Sequence, residues 1–150
     1  MTTIEKSIYI DAPVERVFEF MTNPENLPAI WPSMVEVSGV ERQPSGAHSF
    51  DWVYKMAGLR FHGHADASEV EKNKTVVVRN EKGIPSTFRY RYEAKNGGTQ
   101  VTMRTEYDIP GKALSKLAEP ILTKLNEREA DTYLQNAKET LEHSAAKAAE

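Results

Sequence analysis

At 150 residues the chain is long enough to bury a sizeable core and falls within the usual size of one domain, so a single domain over 1–150 is expected. A formal net charge of −3 offers no basic field to a phosphate backbone, which sets nucleic-acid binding aside. The absence of cysteine excludes disulfides, thiolate nucleophiles and Cys-ligated zinc or iron–sulfur sites.

The start of the chain carries Glu5 and Lys6 and lacks the apolar core of a signal peptide. No later run approaches the roughly 18 apolar residues of a membrane helix. A cytoplasmic protein without stable membrane insertion is the expectation.

Thr3 to Ile10 alternates, with Ile4, Ile8 and Ile10 in one parity and Glu5 and Ser7 in the other, as in a half-buried strand. Asp11-Ala12-Pro13 offers a carboxylate cap and a first-turn proline, and Val14, Val17, Phe18 and Met21 follow at helical spacing. Asn23-Pro24-Glu25-Asn26 repeats the cap signal, while Pro28 and Pro32 permit only a second short helix.

From Val35 to Ile109 the period is two, broken by turn clusters at Pro44-Ser45-Gly46, Gly58, Asn73-Lys74, Gly83-Ile84-Pro85 and Asn96-Gly97-Gly98. Six further strands result, and connections this short impose an antiparallel meander. Phe50, Trp52, Tyr54 and Met56 oppose Asp51 and Lys55; Phe88, Tyr90 and Tyr92 oppose Arg89, Arg91 and Glu93. Val101, Met103, Thr105, Tyr107 and Ile109 oppose Arg104, Glu106 and Asp108, so one sheet face is apolar and the other wet.

After Pro110-Gly111 the period turns helical through Leu114, Leu117, Ile121, Leu122, Leu125, Ala130, Tyr133, Leu134, Ala137 and Leu141. Pro120 is expected to kink or restart this helix, and the tail from Ala145 to fray, leaving about 3–143 ordered. An apolar sheet face needs a cover, and this helix is the one element long enough to supply it. The fold class is therefore α+β: a curved seven-stranded antiparallel sheet with two short helices, gripping a long C-terminal helix.

Several stretches point to a family. Ser7-Ile8-Tyr9-Ile10-Asp11-Ala12-Pro13 with Val17-Phe18, then Asn23-Pro24-Glu25-Asn26-Leu27 and Trp31-Pro32, resembles the opening of the START-like superfamily. That superfamily includes the polyketide cyclase/dehydrase and lipid-transport families and the birch-pollen-allergen fold. Tyr54-Lys55-Met56-Ala57-Gly58, Gly83-Ile84-Pro85-Ser86-Thr87, and Gly97-Gly98-Thr99-Gln100-Val101-Thr102 leading to Glu106-Tyr107 are similar too, so the resemblance covers roughly 3–143. It implies a helix-grip fold with a deep cavity, used by some members to carry lipids, quinones or hormones and by others to cyclise or hydrolyse them. Fold alone does not choose between these.

The aromatic set Trp52, Tyr54, Phe61, Phe88, Tyr90, Tyr92 and Tyr107 either lines a ligand pocket, its phenols orienting a polar group, or packs as ordinary core. The expected lining adds Met103 and Thr105 from the last strand and Leu117, Ile121, Leu125 and Glu129 from the helix. Glu129, one turn after Leu125 and one before Tyr133, is a candidate base or head-group acceptor, or a solvated member of the run Glu127-Arg128-Glu129. His62, His64 and Asp66 place three potential metal ligands on one strand face. The opposite parity, Phe61, Gly63, Ala65 and Ala67, reads as the inward side, which turns the histidines outward and makes a metal site the weaker reading.

No phosphate loop, nucleophile triad or helical His-Glu-x-x-His motif appears. The preferred expectation is a binder or carrier of an apolar or amphipathic small molecule, lipid, quinone or polyketide-like, needing no cofactor and favoured as a monomer. A polyketide cyclase or dehydratase acting in the same cavity is the enzymatic alternative, and a protein-interaction module the third. A binder needs an apolar cavity, an enzyme convergent titratable groups within it, and a module an exposed apolar patch.

Overall fold

The structure, a computed structural model, describes residues 2–56, 58–108 and 112–149, with side chains of the last helix described over 120–144. Strands β1 (Thr2–Ile10), β2 (Met34–Arg42), β3 (His48–Met56), β4 (Leu59–Glu71), β5 (Thr75–Asn80), β6 (Ser86–Lys95) and β7 (Gly98–Tyr107) form one sheet in the order β1-β7-β6-β5-β4-β3-β2. Every neighbouring pair is antiparallel. The meander from β2 to β7 follows the expected hairpins. At Asn96-Gly97 both residues take positive φ (52° and 80°), the handedness that a tight hairpin turn requires.

The sheet's two edges, β1 and β2, are joined by the segment carrying α1 (Val14–Met21), a single 3₁₀ turn (Pro24–Asn26) and α2 (Leu27–Ile30), which therefore crosses the sheet's whole width. Asn23 caps the 3₁₀ turn through Oδ1, which accepts the Glu25 N–H at 3.2 Å. The carboxylate cap expected from Asp11 is not made. Pro13 holds the N-cap position of α1 with an extended backbone, and its carbonyl takes the N–H groups of Arg16 and Val17. Asp11 lies two residues too early to reach them.

Helix α3 (Lys112–Ala149) lies over β1 and against α1 and α2, and its backbone stays helical through Pro120. The fraying expected from Ala145 concerns residues whose side chains lie outside the described ones. Interruptions of register between Ser38 and Glu41 and between Asp66 and Glu69 bend the sheet around the helix. Among the described residues no helix is long and apolar enough to cross a membrane.

The core fills both ends of the concave face. Ile10, Val17, Val101, Ala137 and Leu141 are fully or almost fully buried at one end, where Thr99 Oγ1 donates to the Ala12 carbonyl at 2.8 Å and ties β7 to the start of α1. Between the ends, sheet and helix part.

Candidate functional site

The gap is a half-enclosed cavity of about 130 Å³. Its floor is the inner face of the sheet: Phe50, Trp52, Tyr54 and Met56 from β3, Phe88, Tyr90 and Tyr92 from β6, and Met103, Thr105 and Tyr107 from β7. These side chains share a face because alternate residues of a strand do. The roof is Leu27, Trp31 and Met34 from the α2 region with Asn126, Ala130 and Tyr133 from α3.

Trp31 organises the roof. Its ring meets Tyr54 and Phe88 edge-on at centroid separations of 6.0 and 5.7 Å, and lies tilted on Tyr133 at 4.6 Å. Phe88, Tyr90 and Tyr92 stack along β6 with 6.3 Å between successive rings. The apolar wall thus continues from helix to sheet without a break.

Polar groups enter this wall in small, mostly satisfied clusters. Trp52 Nε1–H donates to Asn80 Oδ1 at 2.8 Å, Asn80 Nδ2 donates to Ser86 Oγ at 3.1 Å, and the Ser86 hydroxyl donates to the Ile84 carbonyl at 2.9 Å. Asn126 Nδ2 donates to Tyr107 Oη at 3.1 Å while its Oδ1 accepts from Tyr54 Oη at 3.4 Å. The hydroxyls of Tyr90 and Tyr133 meet at 3.4 Å. Trp31 Nε1 points towards the Tyr54 phenol without reaching hydrogen-bond geometry.

Burial, reinforced by the Glu129 carboxylate, holds the Tyr54 phenol well above its ordinary range. Burial does the same to Tyr90, beside Tyr133, and to Tyr92, and pushes Tyr133 up to about 12. At neutral pH these four phenols are uncharged hydrogen-bonding groups. The described lining contains no aspartate, glutamate, lysine or arginine. Its single imidazole, His48, sits at the start of β3 with Nδ1 3.0 Å from the Gly46 carbonyl. Such a site can enclose and orient a ligand.

Eight of the expected lining residues meet here: Trp52, Tyr54, Phe88, Tyr90, Tyr92, Met103, Thr105 and Tyr107. Phe61 shares their face but stands outside the lining, paired with Tyr54 near the end of the β3–β4 hairpin. The helix contribution needs correction. Ile121 and Leu125 are 64% and 42% exposed and turn away from the cavity, and the side chain of Leu117 lies outside the described ones. The inward stripe is Leu122, Asn126, Ala130, Tyr133, Ala137 and Leu141, one residue further round the helix, all buried except the half-buried Asn126. Glu129 does not line the cavity either. Its Oε1 accepts the Ser33 N–H at 2.8 Å, tying α3 to the segment after α2.

Trp31, Phe50, Asn80, Ser86, Asn126 and Tyr133 join the lining without having been named as pocket residues from the sequence, although its pattern puts Phe50 and Tyr133 on apolar faces. Trp31 carries the clearest missed signal, a large aromatic in a short proline-rich connection with no helix face of its own to fill. His62 and Asp66 project from the outer face, where His64 Nδ1 lies 2.8 Å from Asp51 Oδ1. Among the described residues no three His, Asp or Glu side chains are grouped so as to hold a metal ion.

Several solved structures share this architecture. The protein TTHA0849 of Thermus thermophilus superposes with a TM-score of 0.79 at 18% identity, over 95% of this chain and 99% of its own. The Zhui aromatase/cyclase of Streptomyces sp. R1128 gives 0.77 at 14% identity, over 96% and 95%. A START superfamily protein of Mycobacterium smegmatis gives 0.74 at 13%, over 94% and 97%. At these identities the likeness shows the fold alone. No curated protein matches the chain. The sequence matches the model of the polyketide cyclase / dehydrase and lipid transport family over residues 1–142, nearly its whole length, and the chain belongs to that family.

Proposed function

We propose that this protein binds an apolar or amphipathic small molecule in the cavity between the sheet and α3, and holds it without transforming it. The observation that carries this reading is the lining itself: an aromatic wall whose described residues include no carboxylate, lysine or arginine, and whose most deeply buried phenols are kept protonated. A small-molecule site needs a concave apolar surface with a few placed polar groups. Acid–base catalysis needs titratable groups with pKa values near the working pH, and burial moves these phenols the other way. The family's description names both cyclase/dehydrase chemistry and lipid transport, and the neutral lining favours the carrying role.

The test is a thermal-shift screen paired with mass spectrometry of molecules extracted from the purified protein. A ligand present at about 100 times its dissociation constant stabilises by about 2.7 kcal/mol, a rise of roughly 5–10 °C for a chain of this size. Fused-ring ketones and long-chain alcohols should produce it. A rise with nucleotides or anionic polymers, and none with apolar compounds, overturns the reading.

A further inference from the structure

Among the described residues two buried side-chain polar atoms make no full hydrogen bond in the protein, Thr105 Oγ1 and Trp31 Nε1, the latter within weak reach of the Tyr54 phenol, and both residues line the cavity. Thr105 is the sharper case. It is 6% exposed, on a strand flanked by β1 and β6, directly across from Ile4 on one side and Phe88 on the other. Neither neighbour's side chain can accept or donate a hydrogen bond. The Phe88 ring in turn carries Trp31 edge-on at 5.7 Å, so the two unpartnered groups belong to the same part of the cavity.

Proteins rarely leave a buried hydroxyl unpaired, because it loses its bond to water and gains nothing in return. A valine would fill the same shape without that loss. The hydroxyl makes physical sense here if the occupant supplies the partner. An indole N–H only donates, and a threonine hydroxyl donates or accepts, so the complementary group is a carbonyl or hydroxyl oxygen.

Charge narrows the class further. A carboxylate carried into this cavity would leave water without meeting a cation, since the described lining has no lysine or arginine. His48 is on β3, four strands from β7 in the sheet, and does not stand beside Thr105.

We propose that the cavity selects uncharged ligands bearing a carbonyl or hydroxyl, seated on the Thr105 hydroxyl, and rejects the carboxylate of the same skeleton. This rests on the binding function proposed above. It adds a polarity code: one neutral oxygen at the β7 side of an otherwise apolar body.

Four naphthalenes substituted at the same ring position test it by calorimetric titration: the methyl ketone, the ethyl hydrocarbon, the carboxylate and its methyl ester. The ketone should bind about tenfold more tightly than the hydrocarbon, the value of one buried hydrogen bond. The ester should bind at least about tenfold more tightly than the carboxylate, whose charge is the difference. Thr105→Val should bring the ketone down to the hydrocarbon's affinity, while Thr105→Ser, which keeps the hydroxyl, retains the preference. A carboxylate bound as tightly as its ester overturns the charge selection. A ketone preference absent from the parent, or surviving Thr105→Val, overturns the role of Thr105. Failure of all four probes to bind at their solubility limits would instead overturn the binding function on which the inference rests.

Discussion

Gly63 lies directly across from Trp52 in the β3–β4 pairing, and the indole rests flat on the space where a side chain would be. A Cβ added there would stand 2.6 Å from Trp52 Cη2 and closer still to Cζ2 and Cε2. The ring has little room to retreat. Its Nε1 is held at 2.8 Å by Asn80 Oδ1, and a Cβ on Gly83 would itself lie 2.9 Å from Cη2, so the β5–β6 turn also stands against the ring. Gly63→Ala therefore drives the indole into the cavity and breaks its bond to Asn80. Overpacking costs about 1–3 kcal/mol, and leaving a buried donor and acceptor unpaired about 1–3 more. Relief of glycine's entropy within a strand returns about 0.5–1 kcal/mol. The net loss is about 1–5 kcal/mol, a melting temperature lower by roughly 2–20 °C, read by calorimetry alongside the tryptophan emission spectrum. In a Trp52→Leu background the same alanine meets no ring and should be neutral or stabilising by about 0.5–1 kcal/mol. A parent-like melting temperature for Gly63→Ala, or an equal penalty in both backgrounds, would refute the reasoning.

Thr105→Phe places a ring in cavity space; a melting temperature equal to or above the parent's, with weakened binding of apolar ligands, is expected, whereas a filled core would lose roughly 1–3 kcal/mol. Alkaline titration reads the buried phenols: Tyr133 has its folded pKa raised to about 12 from 10.0, so its contribution is fully present below pH 10 and is lost between 10 and 12, about 3 kcal/mol in all. Tyr54, Tyr90 and Tyr92 add to the same loss, and their phenolate absorbance should appear together with unfolding; ionisation near pH 10 in a chain with native circular dichroism would contradict it. Replacing His62 and His64 together by alanine should change stability by no more than about 0.5 kcal/mol per site, and stoichiometric zinc lost in that variant would reverse the reading of the outer face.

The sheet was legible because period two leaves little freedom. Once Arg89, Arg91 and Glu93 claim the wet face of β6, Phe88, Tyr90 and Tyr92 can only point the other way. Parity gives the face and says nothing of position along the strand, which is why Phe61 is correctly oriented yet beyond the cavity. Helix register was harder. Asn126 occupies an inward position that apolar periodicity assigns to solvent, and Ala130 adds little signal, so Ile121 and Leu125 read as the inner stripe although they face water. An inward-facing amide is visible only through its partners, Tyr54 and Tyr107, which come from strands far away in sequence. The Trp52–Asn80–Ser86 chain was hidden for the same reason.

The placement of β1 bears on how the protein reaches its folded state. Strands β2 to β7 pair with sequence neighbours, so each hairpin closes a short loop. β1 joins only β7, with Thr2 opposite Tyr107 and Ile10 opposite Thr99, and α3 then lies over β1. β1 and the elements it meets, β7 and α3, thus close the largest loops of this fold, the contacts that raise contact order and slow folding. A chain synthesised from its N-terminus carries β1 without its one sheet neighbour until β7 has emerged, and the cavity lacks the share of its roof that α3 supplies until the helix has followed.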